Sequence, residues 1–467
     1  MGNDNGSWAE LLWGRNGLRS LALAGGVMLH ATNIFIVTTI LPSVVREIGG
    51  LQYYAWNMTL FVVASILGSA FSALAIDRLG LRRTFLGAIA VFVLGTVLCA
   101  LAPAMQVMLV GRTIQGLGGG MLLSMSYSAV RLVFAQHLWS RAMVLVSSMW
   151  GISTLAGPAV GGVFAESGHW RLAFWSVLPA AAGLAWLVWW YVAGGQAQKQ
   201  AGRPPAGKIM LMAVSVLVVS VASLAQSYLI NGLGIAAGAA LTGWLMILDQ
   251  NPRSRLFPQG AYDFRKPLGS LYAGICLLSL GVTTEVYIPY FLQSIHGFGP
   301  LHAGYWAAFM SAGWTAGAFL SSGRSHAVVN RLMILGPLVS AMSLALLGVF
   351  MPLDHLHGLQ TWALLALPLV GVGLGVGLCW PNLLTRVFHA APAGQENMAS
   401  AAITTFQLYA MAMGAALAGM ITNAAGLVQP GGLAGSQQAA SALFLVFCAA
   451  PLLVVWLGRA GRRMTTV

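Results

Sequence analysis

What most constrains this chain is the recurrence of long, nearly uncharged apolar stretches along all 467 residues. Most run for about 18 to 28 residues, which at 1.5 Å rise per residue matches a hydrocarbon core ~30 Å thick. In lipid the backbone must satisfy its own polar groups, and stretches of this length read as spanning helices, not barrel strands. Only 7% of the residues are charged and 58% are hydrophobic, far from the charged quarter of a soluble domain. The expected fold class is an all-α polytopic membrane protein. Its 57 glycines let helix backbones approach closely where lipid removes the usual hydrophobic drive for association.

The spans are expected at 18–43, 55–76, 84–102, 105–134, 141–166, 170–194, 208–229, 232–249, 268–293, 301–322, 331–352, 359–387, 396–424 and 438–458, fourteen helices in all. With the N-terminus in the cytoplasm, every Lys and Arg except Arg46, Arg112 and Arg171 falls on an inner loop or helix end. That distribution satisfies the positive-inside rule and puts both termini in the cytoplasm. The net charge of +13 therefore reports topology, and no nucleic-acid partner is expected. No cleavable signal is evident, because the first helix can itself act as an anchor.

A polar, proline-containing linker (GQAQKQAGRPPAG, 195–207) ends a first block of six helices over 1–194. A two-helix hairpin at 208–249 and a second linker at 250–267 precede a last six-helix block over 268–467. Six plus two plus six predicts two bundles repeated about an axis normal to the membrane, with the substrate site between them near mid-bilayer. Cys99, Cys276, Cys379 and Cys448 lie singly in apolar runs, so they read as buried small hydrophobes, with no disulfide or metal site expected.

Three motifs follow one another in the first bundle. AIDRLGLRRTFL (75–86) places Asp77, Arg78, Arg82 and Arg83 in a very short cytoplasmic loop, either a charged latch between helix ends or an ordinary positive-inside loop. LVGRTIQGLGGG (109–120) puts Arg112 inside the membrane, where an unpaired charge costs at least ~2.5 kcal/mol unless it finds partners or snorkels to the surface. WGISTLAGPAVGGVF (150–164) carries Gly157, Pro158, Gly161 and Gly162, which bend a helix and permit close packing.

In that order these stretches resemble the loop, helix 4 and helix 5 signatures of the major facilitator superfamily and its proton-driven antiporters. HWRLAFWSVLP (169–179) and YFLQSIHGFGPLHAGYWAAF (290–309) are similar to segments of its fourteen-helix drug:proton antiporter branch. The resemblance covers nearly the whole chain. It implies two six-helix bundles plus a two-helix central insertion, and alternating access with Asp77, Arg78 and Arg82 gating the cytoplasmic side. It also implies a role for Arg112 in proton coupling and an antiporter kink at Gly157 to Gly162. There are departures: Ala73 and Leu81 weaken the loop signature, and Asn33 stands in helix 1 where the branch carries an acid. Arg131 ends helix 4, and Asp77 is expected to pair with it.

Glu285 stands apart. The chain has ten acidic residues, and this is the one deep within an apolar segment, SLGVTTEVYIPYFLQ (279–293). Low-dielectric surroundings disfavour a bare carboxylate, so such a group suits a proton carrier, a partner for a cationic substrate, or one site serving both by competition. The structural alternative is a carboxylate bonded to Thr283, Tyr287 or another helix, or one that stays permanently protonated. His30, in the middle of helix 1, is a second titratable candidate, equally readable as a packing histidine.

Trp150, Tyr287, Tyr290, Trp314 and Trp380 can stack on a flat or cationic substrate, though each is equally suited to face lipid. Asn33, Asn382 and Gln407 are polar at membrane depth and suit a cavity wall. The expected activity is proton-coupled export of amphipathic or cationic small molecules, not enzyme catalysis. It uses no cofactor beyond the proton gradient, and a monomer in the bacterial inner membrane is expected. The alternatives are a dedicated exporter of a metabolite, siderophore or lipid, and a receptor or scaffold that moves nothing.

Overall fold

The computed structural model describes residues 7–192 and 205–460. Most of the expected linker at 195–207 therefore lies outside the described residues. Among those described there is no strand; turns join helices. The principal helices, in chain order, are α1 (Gly14–Ile48), α2 (Trp56–Leu79), α3 (Leu81–Ala100), α4 (Met105–Ser128), α5 (Trp139–Glu166) and α6 (Val177–Tyr191). They continue as α7 (Ala206–Ala222), α8 (Tyr228–Leu248), α9 (Pro267–Val282), α10 (Ile288–Ser294), α11 (Pro300–Ser321) and α12 (His326–Phe350). The last are α13 (Leu367–Ala390), α14 (Glu396–Ala424), α15 (Gly432–Phe447) and α16 (Ala449–Ala460).

Eleven stretches among the described residues are helical, long and apolar enough to cross a membrane, which makes this a multi-pass membrane protein. At the remaining expected spans the chain is also helical, as α4, α7 and α11, with α7 a shorter apolar helix of 17 residues.

Contacts divide the chain into two compact units, the first running to Gly49 and from Leu60 to Ile209, the second holding Gly50–Thr59 and everything from Met210. In the first unit α1 packs on α5 and α6, and α3 on α4 and α6. In the second unit the same order recurs: α9 packs on α14 and α16, and α12 on α13 and α16. Glycines set the closest approaches. A Cβ on Gly116 or Gly120 of α4 would stand 2.3 Å from the Phe61 carbonyl oxygen or 2.1 Å from that of Ser65, so these two glycines, one turn apart, bring α4 against α2 backbone to backbone.

Glu47, at the end of α1, clasps the start of the short helix Trp170–Trp175. Its carboxylate accepts from Trp170 Nε1 at 2.7 Å and pairs with Arg171, whose guanidinium also reaches the Ala102 carbonyl at 3.0 Å. Arg171, one of the three exceptions to the charge rule, is thus held beside an acid.

One expectation needs correction. The span at 268–293 is not one α-helix, because a 3-10 turn, Thr283–Tyr287, separates α9 from α10. Pro289 gives the reason. Proline has no N–H for the carbonyl four residues back and its ring collides with that oxygen. Here that carbonyl belongs to Glu285, which bonds instead to the Ile288 N–H in the shorter 3-10 register. The second linker, 250–267, is bonded to its neighbours. Asp249 accepts from the Leu256 and Phe257 N–H groups at 2.6 and 3.1 Å and from Tyr262 Oη at 3.2 Å, and Phe257 stacks on Phe406 at 4.3 Å. Burial and the Asp249 carboxylate together push the Tyr262 phenol up from its ordinary range.

Candidate functional site

The break at Pro289 presents Glu285 at the joint of two helices. The hydroxyls beside it turn away: Thr283 Oγ1 donates to the Leu280 carbonyl at 2.5 Å and Thr284 Oγ1 to that of Gly281 at 3.1 Å. Such back-bonding reinforces a bend in a helix. Tyr287 Oη accepts from Thr422 Oγ1 of α14 at 2.9 Å. Among the described residues, no group donates a hydrogen bond to the Glu285 carboxylate and no cation pairs with it. Glu285 is half-buried, and the alternative bonds to Thr283 or Tyr287 are not made among the described residues. Packing at the joint is tight, since a Cβ on Gly414 of α14 would lie 2.3 Å from Thr283 Oγ1.

Beyond Glu285 the tyrosines gather. Tyr287 stacks on Tyr54 with ring centroids 4.9 Å apart, and Tyr290 meets Tyr54 edge-on at 5.3 Å. Tyr54 belongs to Gly50–Thr59, the segment that groups with the second unit. Trp314 and Trp380 also come together, at 4.9 Å, where α11 crosses α13. Asn382 bonds the carbonyl of Leu378 in its own helix at 3.4 Å, and Gln407 is half-buried on α14.

In the first unit Arg112 is 1% exposed, which removes the snorkelling alternative. Its Nη1 donates to Asn33 Oδ1 at 2.6 Å and to Gln115 Oε1 at 2.5 Å, and its guanidinium lies 4.1 Å from the Phe61 ring centre. Gln115 is itself oriented by donating to Thr96 Oγ1 at 2.8 Å. Neutral oxygens and an aromatic face thus surround a buried cation. His30, buried one turn before Asn33, packs over Gly119 with its ring 5.2 Å from Phe61 and 6.0 Å from Trp150.

Asp77 and Arg78 close α2, and Gly80, with φ of 77°, turns the chain into α3. Arg82 donates to the carbonyl of Val192 at 2.7 Å, tying this loop to the end of α6. Arg131 lies 5.6 Å over the Trp139 ring. Pro158 sits inside the unbroken helix α5 beside buried Gly162. Cβ atoms on Gly157 and Gly161 would meet Phe35 at 2.3 Å and the Ile36 carbonyl oxygen at 2.9 Å, so the glycine–proline stretch is where α5 presses on α1.

Sequence reading missed several partners. Gln115, three residues beyond Arg112, was the most accessible, because that spacing shares a helix face. Tyr54, Thr422 and Asn423 carried no local signal.

A family profile described as Major Facilitator Superfamily matches residues 23–415. A probable multidrug-efflux transporter of Mycobacterium tuberculosis is 35% identical over 455 residues, covering 95% of this chain and 94% of its own. A multidrug resistance protein of the same organism is 28% identical over 425 residues, covering 87% of this chain and 76% of its own. Among solved structures, a POT family transporter superposes with a TM-score of 0.67 at 13% identity, covering 95% of this chain and 98% of that one.

Proposed function

The chain belongs to the major facilitator superfamily, and on that premise we propose that it exports amphipathic or cationic small molecules from the cytoplasm in exchange for protons. The efflux-transporter relative, alignable over nearly the full length of both chains, supports export. The observation that carries the proton coupling is Glu285, a half-buried carboxylate set in a helix break with no partner for its charge among the described residues.

A carboxylate so placed is poorly solvated, and two events relieve it: taking up a proton or pairing with an incoming cation. Because the two compete for one group, a cation arriving from one side displaces the proton, and a proton arriving from the other displaces the cation. Exchange follows without a second coupling element. In this reading all fourteen expected spans cross the bacterial inner membrane with both termini cytoplasmic, and Asp77, Arg78, Arg82 and Arg131 act at the cytoplasmic gate. Arg112, Asn33 and His30 form a polar core in the first unit that tunes proton transfer. Tyr287, Tyr290, Trp150 and the Trp314–Trp380 pair offer aromatic faces to a flat or cationic substrate.

The test is flux in sealed proteoliposomes holding purified protein, energised by a pH gradient and offered tetraphenylphosphonium, ethidium, an anionic dye and a neutral lipid in turn. Gradient-dependent movement of the cations is expected. Movement of the lipid alone would replace this reading with a dedicated lipid exporter, and binding without flux would replace it with a receptor.

A further inference from the structure

The two-helix hairpin α7–α8 is not used by the reading above, yet it is bonded along α14 at two levels. In the middle, the hydroxyl of Tyr409 lies 2.8 Å from Ser215 Oγ of α7 and 2.6 Å from Thr242 Oγ1 of α8. Fourteen residues further along α14, about 21 Å at helical rise, Asn423 Nδ2 donates to the Ser223 carbonyl in the hairpin turn at 3.1 Å. The same amide nitrogen donates to the Gln52 carbonyl, also at 3.1 Å. One side chain therefore joins the hairpin to Gly50–Thr59, the segment that seats Tyr54 on Tyr287 and Tyr290.

That seat is not a relaxed one. Among the described residues Tyr54 is fully buried with its hydroxyl unpartnered, and Trp56 Nε1 is buried without an acceptor. Each such group costs about 1 to 3 kcal/mol compared with a hydrated one. Gly49 and Gly50, at φ of 70° and 83°, supply a pivot at the head of the segment. A strained seat held by ring stacking, one amide and a close approach of Ala55 to Gly419 is the kind of contact that opens as a unit.

We propose that the hairpin is the strut of a gate: through Asn423 it holds Gly50–Thr59 closed over Tyr287 and Tyr290, beside the Glu285 turn. Release of the hairpin turn and release of Tyr54 are then a single event. Asn423 acts as a positioning residue and touches no substrate. That the gate faces outward rests on the cytoplasmic N-terminus proposed above; the coupling itself does not.

Hydrogen exchange read by mass spectrometry on the full chain in nanodiscs tests the coupling without any transport assay. Asn423→Leu keeps the bulk and removes both donated bonds; amides of 50–59 and of 222–228 should both exchange at least tenfold faster. Tyr228→Phe deletes a neighbouring hairpin bond, to the Ala424 carbonyl, and should leave 50–59 unchanged. In the unmodified protein, protection of the two segments should be lost together as urea rises, which keeps the test available if the Leu variant folds poorly. Faster exchange in one segment alone, or loss of protection at separate urea concentrations, would overturn the coupling. Labelling of Gln52→Cys by an impermeant maleimide, from outside and not from inside, tests the side of the membrane separately. Labelling only from inside would overturn the outward assignment and leave the coupling to the exchange data.

Discussion

At the scale of single residues, two charged groups in membrane-spanning segments are handled in opposite ways. Arg112 is enclosed by oxygens of Asn33 and Gln115 and by the Phe61 ring, whereas Glu285 has no partner for its charge among the described residues. Partners lower the cost of holding the Arg112 charge in place, because an unpaired buried charge is the costlier arrangement. The enclosure of Arg112 predicts that Asn33→Leu, which removes one acceptor from a buried guanidinium, destabilises the protein by about 1 to 3 kcal/mol. Unfolding by denaturant in detergent reads this, and an unchanged midpoint would mean that Asn33 contributes nothing to holding the cation. That both charges fall within apolar segments was legible from the sequence. Their surroundings were not, because Asn33 and Arg112 lie 79 residues apart and only Gln115 shares a local spacing with the cation.

At the scale of elements, the break between α9 and α10 is the feature that matters. Its cause was present in the sequence, a proline four residues after Glu285, but a hydrophobic run long enough to span reads as one helix whether or not its hydrogen-bond ladder is continuous. Pro289→Ala restores the missing N–H and removes the ring clash, so an unbroken α-helix becomes accessible through Glu285. Thermal stability should rise by about 1 to 3 kcal/mol equivalent, while turnover in proteoliposomes falls severalfold as the joint stiffens. Equal turnover in the Ala variant would show that the 3-10 turn is not needed for the cycle. The clasp of Glu47 on Trp170 and Arg171 is structural by comparison: its groups are partly exposed, and Arg171→Ala should cost only about 1 kcal/mol.

At the scale of the whole molecule, the packing order of the first unit, α1 with α5 and α6, α3 with α4 and α6, recurs in the second as α9 with α14 and α16, α12 with α13 and α16. The spans themselves were legible in sequence, since span length is set by bilayer thickness, but the pairing order of the helices within each unit was not. The seating of Gly50–Thr59 with the second unit was not visible, because nothing local to Tyr54 records a contact with Tyr287 some 230 residues later. The hairpin at 208–249 was likewise legible as two helices but silent about its partner, since hydroxyl contacts such as Tyr409 to Ser215 and Thr242 leave no periodic trace.

The central claim is that Glu285 alone exchanges a proton for a cation. Its most direct test is a pH-sensitive dye trapped inside proteoliposomes of wild type and of Glu285→Gln, with tetraphenylphosphonium added under an imposed pH gradient. Wild type should move protons when the cation is added, and the Gln variant, matched in shape but unable to ionise, should lose at least nine-tenths of that signal while remaining folded. Undiminished proton movement in Glu285→Gln would contradict the account and shift the coupling to another group, Arg112 with His30 first among them.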